Sequence, residues 1–327
     1  MARAGRHYHH GRMVEAAEAY AEAARTAERR VDLDEALYRQ AKALERSAGS
    51  CLPDSPPAEC SLESLRGAVR VLDEVARRRP DSRRTVRALF DASLLRIRLG
   101  DRRAGFAGLR AILVQYPESG QAGRSLQLVL GGLTADAALG LVRRLYGRVG
   151  ETDLGDDLLD AEADLLDARG DRAGARAALL RMVREHPYPT GQRWDDALWR
   201  LADMAEEADD TQQAIDYLER MLSVHEWTGT PGSYTLPRFP HARLRIARLE
   251  RDRGHLEAAE VSFMAVYDDF PTALVRDDAL LELGEMLLAG GQHERACTLL
   301  RQVVDEFEVG RARRRAAEGL DASCAQR

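Results

Sequence analysis

The sequence predicts an all-α chain, a right-handed superhelical solenoid of stacked antiparallel helix pairs, and three observations carry that expectation. Small and large apolar residues recur at fixed offsets from a turn glycine; each helix before that glycine has its own apolar stripe; and a proline often closes the unit. In GDRRAGFAGLRAILVQYP, Gly100 precedes Gly105, Leu109, Ile112 and Pro117. In GDRAGARAALLRMVREHP, Gly170 precedes Ala175, Leu179, Met182 and Pro187. The same offsets return as Gly254, Ala259, Phe263, Val266 and Pro271, and without the proline as Gly291, Ala296, Leu300 and Val303. At the start of the chain they read Gly11, Ala16, Tyr20 and Ala23. Such offsets place the three apolar residues on one helical face. The glycine permits the tight link, the small residue lets two helices approach, and the proline ends the unit. One hairpin cannot cover its own stripe, so neighbouring hairpins must stack.

Taken in order, the first full helix is expected near 12–28, after Gly11, with 33–47 following it. Helices near 62–79 and 82–99 lie beyond a Cys/Pro loop at 48–61, and 102–115 follows Gly100. The pair at 120–132 and 135–147 is degenerate, since Leu133 stands where a turn glycine is expected, although Ala138 keeps the small position. Helices then follow near 151–168 and 172–185 around Gly170, 193–207 and 211–224, 240–253 and 256–269 around Gly254, and 275–289 and 293–306 around Gly291. A capping helix near 310–322 ends the array. The opening unit has most of its leading helix missing on this reading, which leaves Ala16 and Tyr20 poorly covered unless another element caps that end.

Charge divides the chain at about the degenerate pair. The total is -6, yet residues 1–150 are net positive and 151–327 net negative. We therefore expect two arrays, 1–150 with the atypical loop and 151–327 with the terminal cap. With 45% hydrophobic and 31% charged residues the chain can bury substantial cores. No apolar run approaches the roughly 18 residues of a membrane span.

The pattern resembles tetratricopeptide repeats. The family's signature positions correspond to Gly284, Gly291 and Ala296 in 277–307, and to Ala247, Gly254, Ala259 and Phe263 in 241–271. In the opening repeat they correspond to Gly5, Tyr8, Gly11, Ala16, Tyr20 and Ala23. DDALWRLADMAEE at 195–207 and FPTALVRDDALLELG at 270–284 are similar to bacterial periplasmic lipoproteins of the outer-membrane assembly type and to related cell-envelope repeat proteins. That resemblance implies a scaffold or assembly adaptor in the periplasm or at the periplasmic face of the outer membrane, with any membrane attachment supplied by lipoprotein sequence upstream of this chain. The alternative is a cytoplasmic adaptor or a regulatory subunit of an enzyme complex.

No phosphate-cradling glycine loop, HExxH or nucleophile elbow is present, so no catalytic residue, cofactor or metal is expected. Cys51 and Cys60 bracket eight loop residues and read either as a disulfide or as unpaired thiols, two cysteines being a poor zinc signature. Cys297 and Cys324 read as isolated thiols. His7, His9 and His10 read as exposed side chains at a chain end. RRRPDSRR at 77–84 and RARRR at 311–315 read as solvated helix ends, with no nucleic-acid partner.

The stronger positional signal lies on the first helix of each later pair, which in repeats of this family commonly lines the concave side. Asp157, Asp160, Asp164 and Asp167 share one stripe, followed at similar positions by Asp196, Trp199, Arg200 and Asp203, then His241, Leu244 and Arg248, then Asp278, Leu281 and Glu285. These residues predict an acidic floor with apolar anchors at Trp199 and Leu244, suited to a protein partner that offers a basic helix or extended segment. Trp199 reads equally well as a repeat-stacking residue. Trp227, Tyr234 and Phe239, in the connection at 225–243, are expected to cover a gap between repeats rather than to present anchors.

Overall fold

The structure, a computed structural model, describes residues 1–49, 60–78, 83–224 and 238–324. Those residues form seventeen α-helices. They fall into two compact units, Met1–Gly170 and Asp171–Arg327. The expected division at 150/151 follows charge, whereas this one follows packing.

The first unit holds α1 (Ala2–His9), α2 (Met13–Arg25), α3 (Arg30–Ser47), α4 (Leu62–Arg78), α5 (Arg83–Arg98), α6 (Arg102–Gln115), α7 (Gly120–Leu130), α8 (Ala135–Val149) and α9 (Leu154–Asp167). Each helix packs on the next in chain order through α7, and α8 packs on α9. The opening pair is more complete than the sequence suggested. α1 covers the face that was expected to be bare: Ala4, Ala16, Ala17, Tyr20 and Ala43 form one cluster, with Tyr20 only 1% exposed. Alanines allow this short helix to sit close, and so brief an amphipathic run lacks the length for its periodicity to stand out. The central cores of the unit gather Leu65, Leu72 and Leu95, and then Leu109, Ile112, Leu126, Val142 and Leu158.

The second unit holds α10 (Arg172–Glu185), α11 (Trp194–Glu207), α12 (Thr211–Leu222), α13 (Phe239–Asp252), α14 (Leu256–Asp269), α15 (Arg276–Ala289), α16 (His293–Glu306) and α17 (Arg311–Ser323). Pairs α11/α12, α13/α14 and α15/α16 are hairpins stacked in sequence, and α17 closes the stack against α15 and α16. The apolar residues singled out by the offsets are the core: Ala259, Phe263 and Val266 pack with Leu244 and Leu283, and Leu300 and Val303 pack with Leu280 and Leu281. Phe239 opens α13 and is buried. Trp227 and Tyr234 lie outside the described residues.

Turn chemistry sets where each hairpin bends. Gly11, Gly100, Gly170, Gly254 and Gly291 all have positive φ, between 74° and 88°, where a β-carbon is disfavoured. Between α11 and α12 the same left-handed position is taken by Asp209, φ 58°. Three of the following helices are capped by the next residue: Asp101, Asp171 and Asp210 each accept a backbone N–H from the third residue onward, at 3.0, 2.9 and 3.1 Å. The degenerate pair solves its turn differently. Thr134 caps α8 through Ala137 N at 3.4 Å, and a β-carbon on Gly132 would lie 3.1 Å from the Phe106 ring.

Cys297 and Cys324 are joined by a disulfide across Cα atoms 5.9 Å apart, which corrects the expectation of isolated thiols. The antiparallel packing of α16 and α17 explains it. Cys297 lies near the start of α16 and Cys324 ends α17, so 27 residues of separation return to one place. Cys60 is also disulfide-bonded, while its expected partner Cys51 lies outside the described residues.

Candidate partner groove

The expected groove residues are divided between the two units. In the first unit, α9 buries Leu154, Leu158, Leu159, Ala163 and Leu166 on one side. That leaves Asp157 and Asp160 half-buried and Asp164 and Asp167 exposed along the other. Asp157 leans on the preceding repeat. Its Oδ2 lies where a β-carbon on Gly123 of α7 would come within 2.6 Å, so a glycine makes room for the carboxylate. Beside it, Asp156 is buried and accepts the Asp157 backbone N–H at 2.8 Å.

In the second unit acidic positions meet arginines from an adjacent first-of-pair helix. Asp203 and Glu206 on α11 both receive Arg245 of α13, each at 2.6 Å. Arg248 of α13 forks onto Glu282 of α15 at 3.0 and 3.1 Å, and Arg251 reaches the same carboxylate at 3.1 Å. Glu285 accepts Arg315 of α17 at 2.7 Å. At the other end, Arg238 pairs with Asp196 and lies 3.8 Å from Asp195. A ladder of ion pairs therefore runs from α11 through α13 and α15 to α17.

Trp199 sits within this ladder. It is half-buried, with the Arg245 guanidinium 4.9 Å and the Arg238 guanidinium 5.7 Å from ring centroids. Cation–π contact and charge pairing thus use the same two arginines, which holds the indole in place while leaving part of it accessible. Arg200 beside it is also half-buried, and His241 is exposed.

Leu244 is 2% exposed in the core with Ala247 and Phe263, and Leu281 is likewise 2% exposed. Leu244 is therefore no partner anchor, a correction with a simple cause. On α13 the apolar stripe must face both α14 and the neighbouring pair, and Leu244 falls inside that wide arc.

Burial shapes the acids at helix starts. Asp195 is held above the usual carboxylate range first by burial and then by the charge of Asp196. Asp278 is raised first by burial and then by Asp277 and Glu282. Arg238, Arg245 and Glu282 did not figure among the expected groove residues, and Arg315 was read only as part of a solvated helix end. Their signal was an arginine on one first-of-pair helix at the level of an acid on the next, visible only when successive helices are compared for opposite rather than like residues.

Among the described residues no group of three His, Cys, Asp or Glu side chains is placed to hold a metal ion, His7, His9 and His10 included. The tetratricopeptide repeat family matches residues 196–225 and 278–308. No curated protein matches the chain. Among solved structures, one of pilF from Pseudomonas aeruginosa is 15% identical, with 72% of this chain and 97% of that one covered and a TM-score of 0.41. The C-terminal part of a repeat-containing protein from Cytophaga hutchinsonii is 12% identical, with 85% and 98% covered and a TM-score of 0.45. A human IFIT1 dimer with m7Gppp-AAAA is 13% identical, with 98% and 80% covered and a TM-score of 0.43. The two family matches fall on the α11/α12 and α15/α16 hairpins, and the described residues of each unit form an all-helical array of tetratricopeptide-type helix pairs.

Proposed function

We propose that this chain works as a non-catalytic scaffold and assembly adaptor in a bacterial cell-envelope complex, in the periplasm or at the periplasmic face of the outer membrane. The observation that supports this placement is the Cys297–Cys324 disulfide, together with the absence of any free thiol among the described residues. Disulfides persist in oxidising compartments and are rare in the cytosol. Among the described residues no helix is long and apolar enough to cross a membrane.

Partner contact is assigned to the first-of-pair faces: the Asp157, Asp160, Asp164 and Asp167 stripe in the first unit, and Trp199 with Arg200 in the second. A basic helix or extended segment suits the stripe. At Trp199 a partner competes with arginines already in place, so the indole contributes more than net charge does.

Mass-tagged maleimide applied to cells under non-reducing conditions tests the placement. The native protein is expected to take no tag until a reductant is added. Tagging of Cys297 or Cys324 without reductant would overturn the envelope assignment and favour a cytoplasmic adaptor or regulatory subunit. For the binding faces, the partner recovered with wild-type protein is compared with Asp160→Asn/Asp164→Asn and Trp199→Ala after each is shown to be folded. Exposed charges contribute about 0.2–1 kcal/mol each and a seated aromatic roughly 2 kcal/mol. The first variant should weaken binding at low salt and the second at all salt levels; unchanged affinity in both rejects these faces.

A further inference from the structure

Little of its own chemistry holds α17 in place. Its buried residues are Ala312 and Ala316, with Leu320 partly buried against the same cluster, whereas the surface beneath it is made of Leu280, Leu281, Leu300 and Val303. Other first-of-pair helices bring far more to their neighbours: α13 buries Phe239, Leu244 and Ile246, and α15 buries four leucines and Met286. Its start is equally weak. Gly310, with φ 136°, offers no side-chain cap, the first turn has no acidic residue, and Arg311, Arg313 and Arg314 set positive charge against the positive end of the helix dipole. Arg315 on Glu285 and Arg313 on the Val304 carbonyl, at 2.7 and 3.2 Å, are contacts at or near the surface. At its far end the helix is bonded covalently, Cys324 to Cys297 of α16.

We propose that this disulfide is a redox latch: closed, it keeps α17 over the aliphatic end of the α15/α16 pair, and reduction by a dithiol releases the helix and uncovers that surface. The thiolate of the dithiol attacks one cysteine sulfur and forms a mixed disulfide, which its second thiol resolves. The chain gains two thiols and the reductant leaves as its own disulfide. Leu280, Leu281, Leu300 and Val303 are the side chains that lose their cover.

Hydrogen exchange on the full chain tests this, comparing the oxidised protein, the protein treated with dithiothreitol, and Cys297→Ser/Cys324→Ser. The paired substitution separates this bond from the one at Cys60, and the reduced wild type guards against a variant that misfolds. Amides of α17 are expected to exchange on the order of a hundredfold faster in both reduced and substituted proteins, the loop-closure effect of a cross-link over such a separation, while α13 and α14 keep their protection. An environment-sensitive apolar dye should brighten in step. Equal protection of α17 with and without the bond, or an unchanged dye signal, would overturn the latch.

Discussion

Asp209 stands in the left-handed region, at φ 58°, where five other turns of the same kind use glycine at φ 74° to 88°. A β-carbon in that region costs roughly 1–2 kcal/mol per residue, somewhat less for Asp because its side chain bonds locally. Asp209→Gly is therefore expected to stabilise the second unit by about 1 kcal/mol, and Gly254→Ala to destabilise it by a similar amount; denaturant midpoints measure both. Asp278 gives a pH signature. Burial, then Asp277 and Glu282, raise its carboxyl, so its charged form is the one the fold disfavours. The cost is present above the folded pKa and vanishes as pH falls through it. Asp278→Asn should raise the thermal midpoint at neutral pH, with the gain fading toward about pH 3. Glu35 has the opposite sign: burial opposes its ionisation, but the Arg39 hydrogen bond and the Arg84 charge outweigh it and lower the pKa. Its contribution is present at neutral pH and is lost on acidification below the ordinary glutamate range.

At the scale of the helix pair, the small residue five positions after each turn determines how closely two helices pack. Ala175, Ala259 and Ala296 are buried with a β-carbon accommodated. Gly105 is tighter. A β-carbon there would lie 2.5 Å from Ile97 Cγ1 and 2.7 Å from the Ser93 carbonyl oxygen, and the backbone atom cannot swing aside. Gly105→Ala gains roughly 1 kcal/mol in helix propensity and meets about 1–3 kcal/mol of overpacking, so a net loss of stability in the first unit is expected by chemical denaturation. Capping is the other lever on a pair. Asp171→Ala removes the acceptor for the Gly174 N–H and should cost about 1 kcal/mol, whereas Asp171→Asn keeps the bond and much of the stability.

Across the molecule, ion pairs between successive first-of-pair helices tie the second unit together in α11, α13, α15 and α17, and Arg245 is where that ladder meets Trp199. Arg245→Ala leaves Asp203 and Glu206 facing each other and uncovers the indole. A loss of about 1–2 kcal/mol, with a shift in tryptophan emission, is expected; unchanged emission would show that the guanidinium does not shape the indole's surroundings. Much of this architecture was legible beforehand. Residues such as Leu109, Leu179, Phe263 and Leu300 announce themselves through helical periodicity, because a 3.6-residue period, a turn glycine and a following cap are local properties that need only neighbours in the chain. The sequence by itself thus determined the helix pairs, their turns and their buried faces, apart from α1, whose eight residues are too few to display a period. Tertiary structure alone decided what depends on distant segments. It brought Cys324 back to Cys297, sent Leu244 into the core, and set Arg245 and Arg315 against Asp203 and Glu285. Packing chooses such partners by the register of one helix against another, and that register is a sum over many contacts that no single stretch of sequence contains.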